Sequence, residues 1–86
     1  MPEISRFYGI VIQIYFGDHL PPHFHARYGG STAKFEIDSL ALLEGKLPAR
    51  ATGLVTEWAT LHQTELREAF DRAANMQPPG KIDPLP

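Results

Sequence analysis

The sequence predicts an α+β protein: a three- or four-stranded antiparallel β-meander packed against a long C-terminal helix, or against a helical hairpin. Three observations carry this. The first 45 residues alternate apolar and polar side chains with the period of two of half-buried strands. From Pro48 onward apolar residues recur at spacings of three and four, the period of an amphipathic helix. Pro and Gly clusters at Gly17, Pro21-Pro22, Gly29-Gly30 and Pro78-Pro79-Gly80 punctuate the segments. With 86 residues, 43% of them hydrophobic, the chain holds one core. It divides into a β-meander over residues 1–45, a helical part over 48–76 and a proline-rich tail over 77–86, all within a single domain, 1–86.

The first strand is placed at Phe7 to Phe16, where Tyr8, Ile10, Ile12, Ile14 and Phe16 share one face. The second runs from His23 to Tyr28. Phe24, Ala26 and Tyr28 lie on one side, and His23, His25 and Arg27 on the other. Gly29-Gly30 is a two-residue hairpin signal, because the favoured turns need positive φ. The third strand, Ser31 to Ile37, then pairs Phe24 with Phe35, Ala26 with Ala33, His23 with Glu36, His25 with Lys34 and Arg27 with Thr32. A one-residue slip would set Phe24 on the face of Lys34, so the pattern selects its own register. A short fourth strand is expected at Leu40 to Leu43.

Pro48 suits the first turn of a helix, where its missing N–H costs nothing. Ala51, Leu54, Val55, Trp58, Leu61 and His62 begin an apolar stripe that Leu66, Ala69, Phe70, Ala73 and Met76 continue. A single helix is favoured over a hairpin breaking near Gln63-Thr64 with Thr64 as N-cap. Such a helix would be roughly 40 Å long. Leu54, Val55, Trp58 and Leu61 would cover Phe24, Ala26, Phe35 and Ile37. The far half would outrun the sheet, leaving Leu66, Phe70 and Ala73 as an interface for a partner or for a second copy in a homodimer. Glu68 and Arg72 are spaced as a favourable helical ion pair. His62 reads as a hydrogen-bonded core histidine, and Trp58 as the anchor between helix and sheet.

Eight Lys+Arg against ten Asp+Glu give a net charge of −2. That disfavours broad electrostatic binding to RNA or to an anionic membrane. The absence of Cys excludes disulfides, zinc ribbons and thiol catalysis. No apolar run approaches the roughly 18 residues of a membrane span, and no secretory signal opens the chain. A cytoplasmic setting is the expectation.

Three of the four histidines, His19, His23 and His25, fall within seven residues. Four readings stay open. His19, His23 and His25 can ligate zinc or another transition metal, with Asp18 or Glu36 as a fourth ligand or an orienter, although no cofactor is expected by default. His23 and His25 can act as acid and base on RNA without a metal, with Arg27 and Lys34 as phosphate cations and Glu36 orienting His23. Asp18, His19, Tyr28, Lys34 and Glu36 can form a recognition surface presented by the stiff Pro21-Pro22 loop. Finally, the histidines can be plain solvated strand residues with ordinary cross-strand contacts.

The run Asp18-His19-Leu20-Pro21-Pro22-His23-Phe24-His25-Ala26-Arg27-Tyr28-Gly29 resembles the hallmark of a family of small bacterial and archaeal proteins, domain of unknown function 4160. The opening Met1-Pro2-Glu3-Ile4 with Phe7, Gly9 and Ile10 is similar too. So are Leu43 to Pro48, Glu57-Trp58-Ala59 with His62, Glu65-Leu66, and Ile82-Asp83-Pro84-Leu85. Leu20 departs from the usual proline or small residue, and Phe70 from a usual tryptophan. The resemblance implies membership of a toxin–antitoxin-like module, with a second small protein as partner. It brings no settled catalytic activity. A non-enzymatic component acting by protein–protein contact is the leading expectation, and a nuclease-like toxin using His23, His25 and Arg27, metal-dependent or not, is the alternative.

Overall fold

The computed structural model describes residues 2–86, so that Met1 of the opening motif lies outside it. Five strands form one antiparallel sheet in sequential order: β1 (Glu3–Phe7), β2 (Ile10–Gln13), β3 (His23–Tyr28), β4 (Ser31–Glu36) and β5 (Leu42–Gly45). Two helices follow, α1 (Ala49–Leu61) and α2 (Gln63–Ala74). This is the α+β meander read from the pattern, with one strand more.

The extra strand arises where one long strand was expected. Residues Tyr8 and Gly9 both take positive φ, +50° and +81°, and turn the chain back on itself. A two-residue turn of that hand matches the twist of the strands it joins. Tyrosine rarely adopts such a φ, so alternation ran through it unnoticed. Its hydroxyl donates to the Pro86 carbonyl at 2.6 Å, which helps hold the turn. Tyr8 and Phe16 accordingly stay exposed, at 59% and 44%, while Ile10, Ile12 and Ile14 are fully buried.

The β3–β4 register is the one the residues select: His23 with Glu36, Phe24 with Phe35, His25 with Lys34, Ala26 with Ala33, Arg27 with Thr32. The last strand starts two residues later than expected and ends at Gly45, whose φ is +75°. A Cβ there would sit 2.2 Å from the Thr32 carbonyl oxygen. Only glycine lets β5 come this close to β4.

One sheet face carries Phe24, Ala26, Phe35 and Ile37, all buried under α1 residues Val55 and Trp58. The Trp58 ring lies 5.3 Å from Phe7 and 5.9 Å from Phe24 between centroids. Leu54 packs partly against this core, whereas Leu61 is 63% exposed, contrary to its expected place beneath the sheet.

The helix does not run through. At His62 the backbone opens to φ −127°, ψ 26°, and this residue, not Thr64, caps α2. Its Nδ1 lies 2.5 Å from Glu65 Oε1. The physical reason is burial. A 40 Å rod would exceed the 32 Å longest dimension of the molecule and leave its second half in water. The break instead buries Leu66, Phe70 and Ala73, at 0%, 2% and 0% exposure. They are core residues, and the expected interface through them is corrected. Arg72 donates to the Pro79 carbonyl rather than pairing with Glu68. Gln63 donates to the carbonyls of Ile37 and Asp38 at 2.9 and 3.0 Å, and the Gly17 N–H donates to Ala73 O at 3.0 Å, so α2 is fixed beside the loop that follows β2.

The tail docks along β1. The Ile82 N–H donates to Ile4 O at 2.7 Å, the Trp58 indole donates to Asp83 O at 2.8 Å, and Ile82 and Leu85 are buried. Among the described residues no helix is long and apolar enough to cross a membrane.

Candidate functional site: a carboxylate and two histidines

Strand alternation sends His23 and His25 to the sheet face opposite α1. The loop after β2 returns Asp18 over the start of β3. Asp18 Oδ2 lies 3.0 Å from His23 Nε2 and 3.2 Å from His25 Nε2. All three groups offer donor atoms within 4.8 Å of one another. The side chains are 21%, 5% and 20% exposed.

Each neighbour fixes a ring. The Nδ1 of His23 lies 2.8 Å from the Pro21 carbonyl. A carbonyl only accepts, so Nδ1 carries the proton and donates it. With Nδ1 committed to Pro21, only Nε2 is left to meet Asp18 Oδ2, as a lone pair in the neutral ring or as a donor in the doubly protonated one. His23 Nε2 is a buried atom without a hydrogen-bond partner despite the 3.0 Å approach. Phe70 of α2 lies 5.6 Å from the His23 ring and closes that side. Tyr15 stacks on His25 at 3.9 Å and 11° between planes. Burial lowers the His25 pKa below the usual histidine range. The Asp18 carboxylate pulls it partly back up, while His23 and Lys34 lower it further. His25 is thus held neutral at pH 7.

By the same rule His25 Nε2 donates its proton to Asp18 Oδ2; a cation held here would take the Asp18 oxygen, His23 Nε2 and, with its proton moved to Nδ1, His25 Nε2. Metal-bound histidines typically donate their second ring N–H to a carbonyl or carboxylate, as His23 does. A tetrahedral site with bonds of about 2.0–2.1 Å has ligand–ligand edges of about 3.3–3.4 Å; the two edges to Asp18 are near this at 3.0 and 3.2 Å, and all three donors lie within 4.8 Å.

A cavity of about 250 Å³ opens beside His25 and is lined by Tyr15, Arg27, Thr32, Lys34, Glu44 and Gly45 among others. Of the residues picked out by spacing, the structure brings together Asp18, His23 and His25, with Arg27 and Lys34 in the adjoining cavity. The others fall elsewhere. His19 is exposed and outside the cluster, so Asp18 takes the third position expected of it. Glu36 faces His23 in register but receives the Ser39 hydroxyl instead of orienting the ring. Tyr28 lines a different cavity, with Tyr8 and Arg50. Tyr15 and Phe70 were missed as neighbours of the site. Tyr15 sits past the end of β2, and Phe70 reaches His23 only because the helix breaks.

A family model, Domain of unknown function (DUF4160), matches residues 9–71. The chain belongs to this family. The matched stretch of this DUF4160 member holds Asp18, His23 and His25 together with Arg27, Lys34 and Phe70, and leaves out β1 and the docked tail. No curated protein and no solved structure matches the chain.

Proposed function

We propose that this DUF4160 protein is a metal-dependent hydrolase. It acts as the enzymatic member of a toxin–antitoxin-like pair in the cytoplasm, with a second small protein as its partner. The module, the partner and the compartment come from the family resemblance. The chemistry comes from one observation: a buried, tautomer-locked His23 Nε2 facing Asp18 Oδ2 at 3.0 Å, with His25 Nε2 at 3.2 Å from the same oxygen. Asp18, His23 and His25 would hold the ion through three protein donors, as in catalytic rather than structural zinc sites. Bound there, it would lower the pKa of a water and polarise a substrate oxygen.

The purely non-enzymatic reading rested on the family resemblance and on an unpartnered helix face. That face is buried in this chain, and the support for contact through Leu66, Phe70 and Ala73 goes with it.

The test is elemental analysis of untagged protein alongside zinc titration by calorimetry. About one equivalent of zinc or another transition metal is expected. An Asp18→Asn, His23→Gln double variant that folds should bind none. A wild-type protein that takes up no transition metal in either measurement overturns the proposal.

A further inference from the structure

Beside the cluster, the cavity carries its own charge pattern. Arg27 and Lys34 bring two positive charges to its walls, and Glu44, at 3.8 Å from Lys34, takes one back. The local balance of +1 stands against −2 for the whole chain. This concentration is a product of register. Arg27 pairs with Thr32, and Lys34 with both His25 and Glu44, so alternation turns all of them to the face that α1 does not cover. Gly45 closes the wall, because only glycine admits β5 to within reach of the Thr32 carbonyl.

We infer that this cavity is the seat of a phosphodiester anion, held by Arg27 and Lys34 against the Asp18–His23–His25 centre. Charge selects an anion, because Arg27 and Lys34 outweigh Glu44 on the cavity walls. Arginine grips two phosphate oxygens through its planar fork, and lysine acts as a point charge. The Thr32 hydroxyl adds a neutral donor. Size selects further. About 250 Å³ lies below the roughly 300–1,000 Å³ of sites that engulf drug-sized ligands. The cavity takes one phosphate-bearing unit, whether of a single-stranded RNA or of a small cyclic or dinucleotide.

The assignment rests on the hydrolase reading and supplies its substrate. In the step, a water oxygen at the centre forms a new bond to phosphorus. The ester P–O bond breaks, and its electron pair leaves on the departing oxygen. The water's proton ends on that oxygen, giving a monoester and an alcohol. No oxidant or co-substrate is needed.

The experiment has two arms. In the first, zinc-loaded protein is offered bis(p-nitrophenyl) phosphate, p-nitrophenyl phosphate and p-nitrophenyl acetate. The diester should be turned over at least tenfold faster than the other two. Lys34→Gln and Arg27→Gln should each raise KM for the diester about tenfold or more while zinc affinity stays within twofold. Faster turnover of the monoester or the acetate, or an unchanged KM in both variants, overturns the inference. In the second arm, metal-free protein is titrated with dimethyl phosphate by ¹⁵N NMR. Saturable shifts at Arg27, Thr32 and Lys34 are expected and should vanish in Lys34→Gln. Their absence in the wild type also overturns it. A protein that binds dimethyl phosphate but no metal would refute the hydrolase while leaving the seat in place. Competition by an RNA trinucleotide against a cyclic dinucleotide then separates polymer from small molecule.

Discussion

The Nδ1–H of His23 donates to the Pro21 carbonyl across 2.8 Å, two residues back in the chain. That bond sets the tautomer of the neutral ring and so turns the Nε2 lone pair toward Asp18. Restoring metal to chelator-treated protein should therefore stabilise it. At a free ion concentration 100 times Kd the gain is about 2.7 kcal/mol. For a domain this size that raises Tm by about 10–20 °C. Differential scanning calorimetry with and without added zinc reads it directly.

Asp18→Asn removes the anionic donor and keeps the shape. Loss of an orienting group around a metal commonly costs 10–100-fold in affinity, so loss of a ligand should cost about 100-fold or more. His19→Ala, one residue on, should change affinity less than twofold, because His19 is exposed and outside the cluster. Isothermal titration of the two variants separates them.

Phe70→Ala opens a cavity beside His23 and should cost about 3–5 kcal/mol. The whole chain has about 4–13 kcal/mol to lose at typical per-residue stability. Phe70→Asp should leave it unfolded rather than merely unpartnered. Leu61→Asp, at a 63% exposed position, should stay within about 0.5 kcal/mol of wild type. Urea denaturation followed by Trp58 fluorescence measures all three.

The metal-free protein should weaken as the solution is acidified. Burial holds the His25 pKa below the value of about 6.5 that it takes when unfolded. As pH falls, the unfolded chain takes up that proton first. The contribution is complete above the unfolded value and is lost as pH drops through the interval down to the folded value. Urea midpoints at pH 7.5, 6 and 5 should decline, and His25→Gln should flatten the decline.

Deleting residues 81–86 removes the burial of Ile82 and Leu85 and the acceptor for the Trp58 indole. At about 1.5–3 kcal/mol for each side chain, the loss is about 3–6 kcal/mol. Circular dichroism melts should show a chain close to the limit of folding.

Much of this was legible in the residues. The β3–β4 register follows from Phe24 and Phe35 needing the same face, since a slip would bury Lys34. The Asp18–His23–His25 grouping was half legible. Alternation places His23 and His25 together, but spacing cannot say whether His19 or Asp18 closes the set, because that depends on how the Gly17 to Pro22 loop returns. The Tyr8–Gly9 turn escaped because tyrosine fits a strand by propensity and seldom takes a positive φ such as the +50° found here. The helix break escaped for a similar reason. Nothing at Leu61 to Gln63 forbids a helix, and the choice is made by the burial of Phe70 and Leu66 elsewhere in the fold.

The bond from Ile82 to Ile4 has a kinetic meaning as well. Every strand pairs with its neighbour in sequence, so the sheet can assemble through short loops that close cheaply. The tail is different: it must find β1 across nearly the whole chain, after the sheet that presents β1 exists. Its docking should therefore come last in folding and reverse first. Changes at Ile82 or Leu85 should therefore speed unfolding severalfold and leave the folding rate almost untouched, so that the lifetime of the folded chain is set by its last few residues.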